Sequence, residues 1–103
     1  MRVLVKVTTN RDQALRRGPD VLRQLFSDLR QWYTEMHTAG KLLAVYPVAA
    51  QAIGFTVWEV ETPDELDQFM IRHPLAAMID REIWYLTNFD GEIDRAMEGL
   101  KRL

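Results

Sequence analysis

The chain has 103 residues, a net charge of −2 and 48% hydrophobic residues, which predicts one domain with a modest core. The absence of a basic excess argues against nucleic acid or an anionic membrane as a partner, and the absence of cysteine excludes disulfides and thiolate metal sites. Two histidines are too few for a histidine-rich metal site. Lys6 interrupts the apolar run at the start of the chain, so we expect a strand rather than a signal peptide, and a cytoplasmic protein.

The first forty residues predict a strand, a loop and a long helix. Residues 2–9 (RVLVKVTT) are rich in β-branched side chains, which favours a strand. Residues 10–20 are polar and contain turn formers, so we interpret them as a loop that ends where Pro19 opens a helix. Apolar residues then recur at helical spacing as far as Met36, and Gly40 lies where a C-terminal cap is expected.

The segment LLAVYPVAAQAIGFTVW, residues 42–58, contains no formal charge in a chain that is 27% charged. A membrane-spanning helix needs about 20 apolar residues, and Pro47 and Gly54 interrupt this shorter run. We therefore interpret the segment as two strands joined by an irregular connection. Both faces of the second strand are largely apolar, which predicts that protein covers both. Alternation places Phe55, Val57 and Glu59 on one face, and Thr56, Trp58 and Val60 on the other.

The second half of the chain predicts a short helix, a strand and a final helix. Thr62 is the predicted N-cap, Pro63 the first helical residue, and Glu65 completes a capping box. The helix should end at His73, because a residue before proline avoids the helical region. A short helical turn is predicted over residues 74–80, a strand over residues 81–89 and an amphipathic helix over residues 90–103.

The order β-α-β-β-α-β with an added C-terminal helix predicts an α+β, ferredoxin-like fold with an antiparallel sheet, as a single domain over residues 1–103. The helices of this arrangement cover one face of the sheet. Because apolar residues occur on both faces, we expect the other face to meet a second subunit. A two-fold homodimer that packs two sheets face to face would satisfy this requirement.

From Gly40 to about Asp80 the sequence resembles the muconolactone isomerase family without a gap. The matching features are Lys6, Gly40, Ala49, the segments FTVWEV and TPDELDQFM, and the pattern of Pro74, Leu75, Met78 and Asp80. The resemblance implies a dimeric α+β barrel, a small enzyme of aromatic-acid catabolism that forms a homodimer or a larger homo-oligomer.

The chain departs from this family where the family has a polar run of arginine, histidine, tyrosine and asparagine. The aligned positions here are Leu43, Ala44, Pro47, Ala52 and Gly54. Muconolactone is a carboxylated lactone, and moving its double bond needs a cation for the carboxylate and an acid/base group near the proton. The departures argue against the namesake activity and favour a more apolar substrate, such as an aromatic or polyketide-type lactone or ketone.

The first functional hypothesis is a small enzyme without a cofactor that moves a proton beside a carbonyl, in an isomerisation or a cyclisation. His73 and Glu59 are the predicted acid/base residues, and Lys6 is the predicted charge stabiliser. Structural roles are open to all three: a helix-terminal histidine, a solvated carboxylate and a rim lysine. The predicted walls of the substrate pocket are Tyr46, Trp58, Phe55, Trp84 and Tyr33, which are also candidates for the core.

Two alternatives remain open at this point. A cofactor-independent monooxygenase of the same barrel type would use Trp84, Tyr85 and Asn88. A non-catalytic module for small-molecule binding or assembly would instead have its pocket filled by side chains.

Overall fold

Residues 1–103 form four strands and four helices in the computed structural model. The strands are β1 (Arg2–Thr9), β2 (Leu42–Pro47), β3 (Ile53–Glu59) and β4 (Ile79–Leu86). The helices are α1 (Arg11–Arg17), α2 (Pro19–Thr38), α3 (Pro63–Arg72) and α4 (Phe89–Leu100), and a 3₁₀ turn at Ala76–Met78 precedes β4. No helix is both long enough and apolar enough to cross a lipid bilayer. The neutral segment 42–58 forms β2 and β3, as predicted.

The four strands form one antiparallel sheet in the order β2-β3-β1-β4. Because β1 lies inside the sheet, Val5 pairs with Thr56 of β3 on one side and with Ile83 of β4 on the other. Lys6 lies opposite Phe55 in the same register. With α2 and α3 connecting the strands, this order confirms the predicted α+β, ferredoxin-like fold.

The prediction of a loop over residues 10–20 is wrong, because seven of these residues form α1. Asn10 is the N-cap: its Oδ1 accepts a hydrogen bond from the Gln13 N–H at 3.0 Å. The helix also has an acidic residue in its first turn and two basic residues in its last turn, which suits its dipole. Gly18, with a φ of +82°, separates α1 from α2.

Helix α3 begins and ends where the sequence predicts. Thr62 Oγ1 accepts a hydrogen bond from the Glu65 N–H at 3.2 Å, and His73 follows the last helical residue. The capping box is only half formed, because the Glu65 carboxylate accepts a hydrogen bond from Lys41 Nζ at 2.9 Å instead. That bond lowers the pKa of Glu65 and raises the pKa of Lys41, and it ties α3 to the start of β2.

Helices α2 and α3 pack on the face of the sheet that carries Thr56 and Trp58, which we call the covered face. Val3, Val5 and Trp58 are completely buried there. The Trp58 indole N–H donates to Thr56 Oγ1 at 2.8 Å, so its polar atom is satisfied inside the core. The helices contribute Trp32, Met36, Leu66, Phe69 and Met70 to this core.

The opposite face of the sheet, which we call the open face, carries Leu4, Lys6, Tyr46, Phe55, Val57 and Trp84. Tyr46 is 65% exposed and Trp84 is 43% exposed, and the other four are partly exposed. The predicted alternation in β3 is therefore confirmed. No helix of the chain buries these side chains, so a second molecule has access to them.

Helix α4 is the predicted C-terminal helix, with Asn88 as its N-cap. Its apolar side chains stay exposed: Phe89 is 77% exposed and Leu100 is 65% exposed. The molecule measures 59 Å along its longest axis and only 28 and 24 Å along the others. The apolar stripe of α4 is therefore not covered by its own chain.

Candidate functional site

A cavity of about 390 Å³ lies between α2 and the end of the sheet formed by the last residues of β1 and β2 and the first residues of β3. Its apolar walls include Val7, Phe26, Leu29, Val45, Ile53 and Leu75. Its polar lining consists of Thr9, Tyr33, Gln51, Thr56 and His73. The lining contains no carboxylate, lysine or arginine, so the cavity suits an uncharged molecule.

Tyr33 and His73 are forty residues apart in sequence and meet in this cavity. Tyr33 lies on the sheet-facing stripe of α2, one turn after Leu29, and His73 occupies the C-cap of α3 in an extended conformation. Tyr33 Oη and His73 Nε2 are 3.0 Å apart. The backbone N–H of Leu75 donates to His73 Nδ1, also at 3.0 Å. Both nitrogens of the imidazole are therefore engaged.

Burial shifts the pKa values of both members of this pair away from neutrality. His73 is only 3% exposed, and burial, assisted by the positive charge of Arg81, lowers its pKa to about 4. Burial raises the pKa of Tyr33 to about 12. Both groups are therefore uncharged at neutral pH. A general acid or base works best with a pKa near neutrality, and the burial of His73 moves its pKa away from that range.

Aromatic rings pack against the Tyr33–His73 pair. The Trp32 ring meets the His73 ring edge-on, with centroids 5.3 Å apart. Tyr33 and His73 are themselves nearly perpendicular, at 82°. Trp58 lies 6.4 Å from Tyr33, centroid to centroid, but it belongs to the core behind the cavity and does not line it. These contacts restrict the rotamers of the two polar rings.

The structure places the other predicted catalytic residues on the far side of the sheet. Glu59 ends β3 with its side chain 47% exposed, close to Arg2 and the N-terminal amine. Lys6 Nζ lies 3.8 Å from a carboxylate oxygen of Glu82 on the open face. Because side chains alternate along a strand, neither residue can reach a ligand that contacts His73 in the same chain.

The predicted pocket walls separate in the same way. Only Tyr33 lines the cavity, whereas Tyr46, Phe55 and Trp84 lie on the open face and Trp58 lies in the core. Thr9, Phe26, Gln51 and Thr56 also line the cavity and were not among the predicted residues. Phe26 belongs to the predicted helical apolar stripe, whereas Gln51 lies in the predicted irregular connection and nothing in the sequence indicates that it faces a cavity.

The residues proposed for a monooxygenase do not meet in one pocket. Trp84 is on the open face, and the next residue, Tyr85, points to the other face and is 51% exposed. Asn88 Oδ1 accepts a hydrogen bond from the Gly91 N–H at 2.6 Å, so it serves as the cap of α4. Within one chain, the structure gives this trio no common cavity.

Comparison with known proteins identifies the fold. No protein-family model matches the sequence, and no curated protein matches it significantly. Among solved structures, the chain is similar to muconolactone isomerase, with a TM-score of 0.74, 21% identity, and coverage of 85% of this chain and 90% of that one. The predicted resemblance is therefore confirmed for the fold.

A second solved structure of similar fold is 5-chloro-2-hydroxyhydroquinone dehydrochlorinase from Burkholderia phenoliruptrix AC1100. The TM-score is 0.63 at 16% identity, over 88% of this chain and 98% of that one. That protein was solved in complex with 2,5-dihydroxybenzoquinone. At these identities, the two comparisons establish a shared architecture.

Proposed function

We propose that this chain is a small enzyme without a cofactor that isomerises or cyclises a largely apolar lactone or aromatic, polyketide-type carbonyl compound by proton transfer. The observation behind the proposal is the Tyr33–His73 pair, two uncharged polar groups in an otherwise apolar cavity of about 390 Å³. A pocket with few, convergent polar groups is typical of small-molecule sites. The proposed compartment is the cytoplasm.

The proposed chemistry uses Tyr33 to stabilise an enolate. A C–H bond next to the carbonyl breaks, its electron pair moves into the carbonyl group, and the oxygen becomes negative while Tyr33 hydrogen-bonds to it. The proton passes to a water or buffer base at the cavity mouth and returns at another carbon. A hydrogen-bond donor at such an oxygen contributes about 10²–10³-fold to kcat. Since the lining has no carboxylate, an external base fits this site better than Glu59 does.

The cavity lining also supports the choice of an uncharged substrate. A carboxylated lactone would bury its negative charge without a cation, and burial of an unpaired charge is strongly unfavourable. The dehydrochlorinase of similar fold was solved with a dihydroxybenzoquinone, which is a precedent for a small oxygenated ring as the ligand of this fold.

We further propose that two copies of the chain pair through their open faces. Tyr46 and Trp84 are exposed there, next to partly exposed Leu4, Phe55 and Val57. Exposed apolar patches on small proteins commonly mark interfaces, and a chain of 103 residues gains stability from association. Lys6 and Glu59 would then lie at or near the subunit interface.

The test is isomerisation of α-angelica lactone, an uncharged β,γ-unsaturated lactone, followed by NMR in D₂O. The wild-type protein should catalyse deuterium incorporation and double-bond migration, with rates that rise with the concentration of buffer base. Tyr33→Phe should lower kcat about 100-fold, whereas His37→Gln, a change at the other histidine, should leave it unchanged.

Other outcomes would redirect the assignment. Oxygen consumption with an electron-rich phenol, without lactone turnover, would favour the monooxygenase. Binding of lactones and phenols without turnover of either would favour a binding module. An unchanged kcat in Tyr33→Phe, together with its loss in Glu59→Gln, would move the active site to the open face.

A further inference from the structure

We infer that His73 is a positioning residue: its ring, fixed by the backbone of Leu75, forces the Tyr33 hydroxyl to donate into the cavity, so that the site selects ligands with a carbonyl or enolate oxygen. The inference deepens the proposed function, since it takes the cavity as the ligand site and names the feature of the ligand that is recognised. It concerns the binding of the ligand and the direction in which the Tyr33 hydroxyl donates. It does not use His73 as an acid or a base.

The first step is the tautomer of His73. A backbone N–H can only donate, so the 3.0 Å contact from Leu75 N requires an unprotonated Nδ1. The ring is uncharged at neutral pH because it is buried, so its single proton is on Nε2. Pro74, between the two residues, has no N–H, which leaves Leu75 as the nearest following amide that can make this contact.

The second step is the direction of the Tyr33 hydroxyl. His73 Nε2–H donates to Tyr33 Oη over 3.0 Å, so Oη is already the acceptor of one hydrogen bond. Its own proton has no acceptor within the chain, and Tyr33 lines the cavity. An acceptor atom of a ligand would complete the chain of bonds from Leu75 through His73 and Tyr33. A ligand without an acceptor would leave the hydroxyl proton unsatisfied in an apolar cavity, which is unfavourable.

The third step is the range of pH over which this direction persists. The groups that face His73 are Tyr33 on α2 and, at longer range, the cation of Arg81 on β4. Neither supplies a negative charge that would favour protonation of Nδ1. The Tyr33 hydroxyl should therefore donate into the cavity throughout the range from about pH 6 to pH 8, because the burial of His73 keeps its ring uncharged there.

Two substitutions separate the two bonds of His73. Asn reproduces the position of Nδ1 and can accept from Leu75 N–H, a geometry that asparagine commonly adopts in turns, but it is too short to reach Tyr33. Gln reproduces the position of Nε2 and can donate to Tyr33 Oη, but it does not hold the turn. His73→Asn thus keeps the local structure and removes the positioning, and His73→Gln does the reverse.

The experiment compares coumarin, an uncharged lactone, with 2H-chromene, which lacks the carbonyl, by titration at pH 7. Wild-type protein should bind coumarin about three- to tenfold more tightly, the effect of one hydrogen bond. This ratio should fall to about one in Tyr33→Phe and His73→Asn and persist in His73→Gln. In ¹⁵N NMR of the free protein, with His37→Gln used for assignment, His73 should show a protonated Nε2 and an unprotonated Nδ1.

Each opposing result has a distinct meaning. The other tautomer at His73, or a coumarin preference that survives His73→Asn, would overturn the positioning role. Equal affinity for the two compounds, or no binding of either, would overturn the ligand class. If the tautomer and the ratios are as expected but no lactone is turned over, the proposed enzyme function fails while this inference stands.

Discussion

The two faces of the sheet have similar numbers of apolar side chains and very different surroundings. On the covered face Val3, Val5 and Trp58 are completely buried under α2 and α3. On the open face Tyr46 is 65% exposed and Trp84 is 43% exposed. Hydrophobic content therefore does not identify the site in this molecule. The cavity lies where the helix layer leaves the end of the covered face partly unfilled, and the open face carries the proposed subunit interface.

The largest expected effect contrasts a tryptophan from each face. Trp58→Ala should lower the free energy of unfolding by about 3–5 kcal/mol, because it removes a fully buried indole from the core. Trp84→Ala should cost less than about 1 kcal/mol at low protein concentration, since that ring is exposed in the single chain. Urea denaturation measures both. Equal losses would show that the open face is as much a core as the covered face.

The second prediction concerns the pH dependence that His73 gives to the covered face. Its pKa is about 4 in the folded state against an ordinary value of 6.5, so the unfolded chain binds the proton more tightly. The corresponding stability is fully present above pH 6.5 and is lost as the pH falls towards 4, by about 3 kcal/mol.

The measurement is the unfolding free energy of wild type and His73→Asn between pH 7.5 and pH 4. In the variant, the unfolding free energy should lose the part of its pH dependence that comes from His73. It should keep the part that comes from carboxylates. Parallel curves for the two proteins would mean that His73 is not buried in its neutral form.

The third prediction tests whether the open face is an interface. Val57→Glu places a carboxylate among partly exposed apolar side chains and should weaken self-association at least tenfold. Ser27→Glu, on the exposed surface of α2, is the matched control and should leave association unchanged. Sedimentation velocity over a concentration series checks this. A wild-type protein that is monomeric throughout would refute the pairing of open faces.

The smallest effect compares two helix caps. Asn10→Ala should cost about 1 kcal/mol, because α1 begins with this cap and packs beside α2 and the turn before β4. Asn88→Ala removes the equivalent bond in α4 and should cost less in the unfolding free energy of the single chain, since α4 has little contact with the rest of its chain. A larger loss in Asn88→Ala would show that α4 packs on the protein in solution.

Much of the fold could be predicted because local patterns and long-range packing agree. The alternation through Phe55 to Val60, the Thr62 cap and the break at Pro74 each correspond to an observed feature. The missed helix α1 is short and has no buried residue, so no apolar stripe revealed it. Its only strong signal was the Asn10 cap.

The candidate site was predicted only in part. Tyr33 and His73 were both named, but their contact depends on how α2 crosses α3 over the sheet, which residue spacing does not specify. Glu59 and Lys6 were grouped with His73 by chemistry, although strand alternation puts Glu59 on the opposite side from Trp58. Because residues of one site must lie on the same face of the sheet, strand alternation alone excludes Glu59 and Lys6 from the cavity.

The Leu75 bond to His73 has a consequence for redesign. Its donor is a main-chain amide, so substitutions in the cavity wall other than at His73 leave both the donor and the acceptor of this bond in place. Val45, Ile53 and Phe26 could be exchanged for smaller or larger residues to admit different ring sizes, while the polar end of the cavity keeps its orientation. A library limited to these three positions would change the shape of the molecule that the cavity accepts. The requirement for a hydrogen-bond acceptor on that molecule would stay the same.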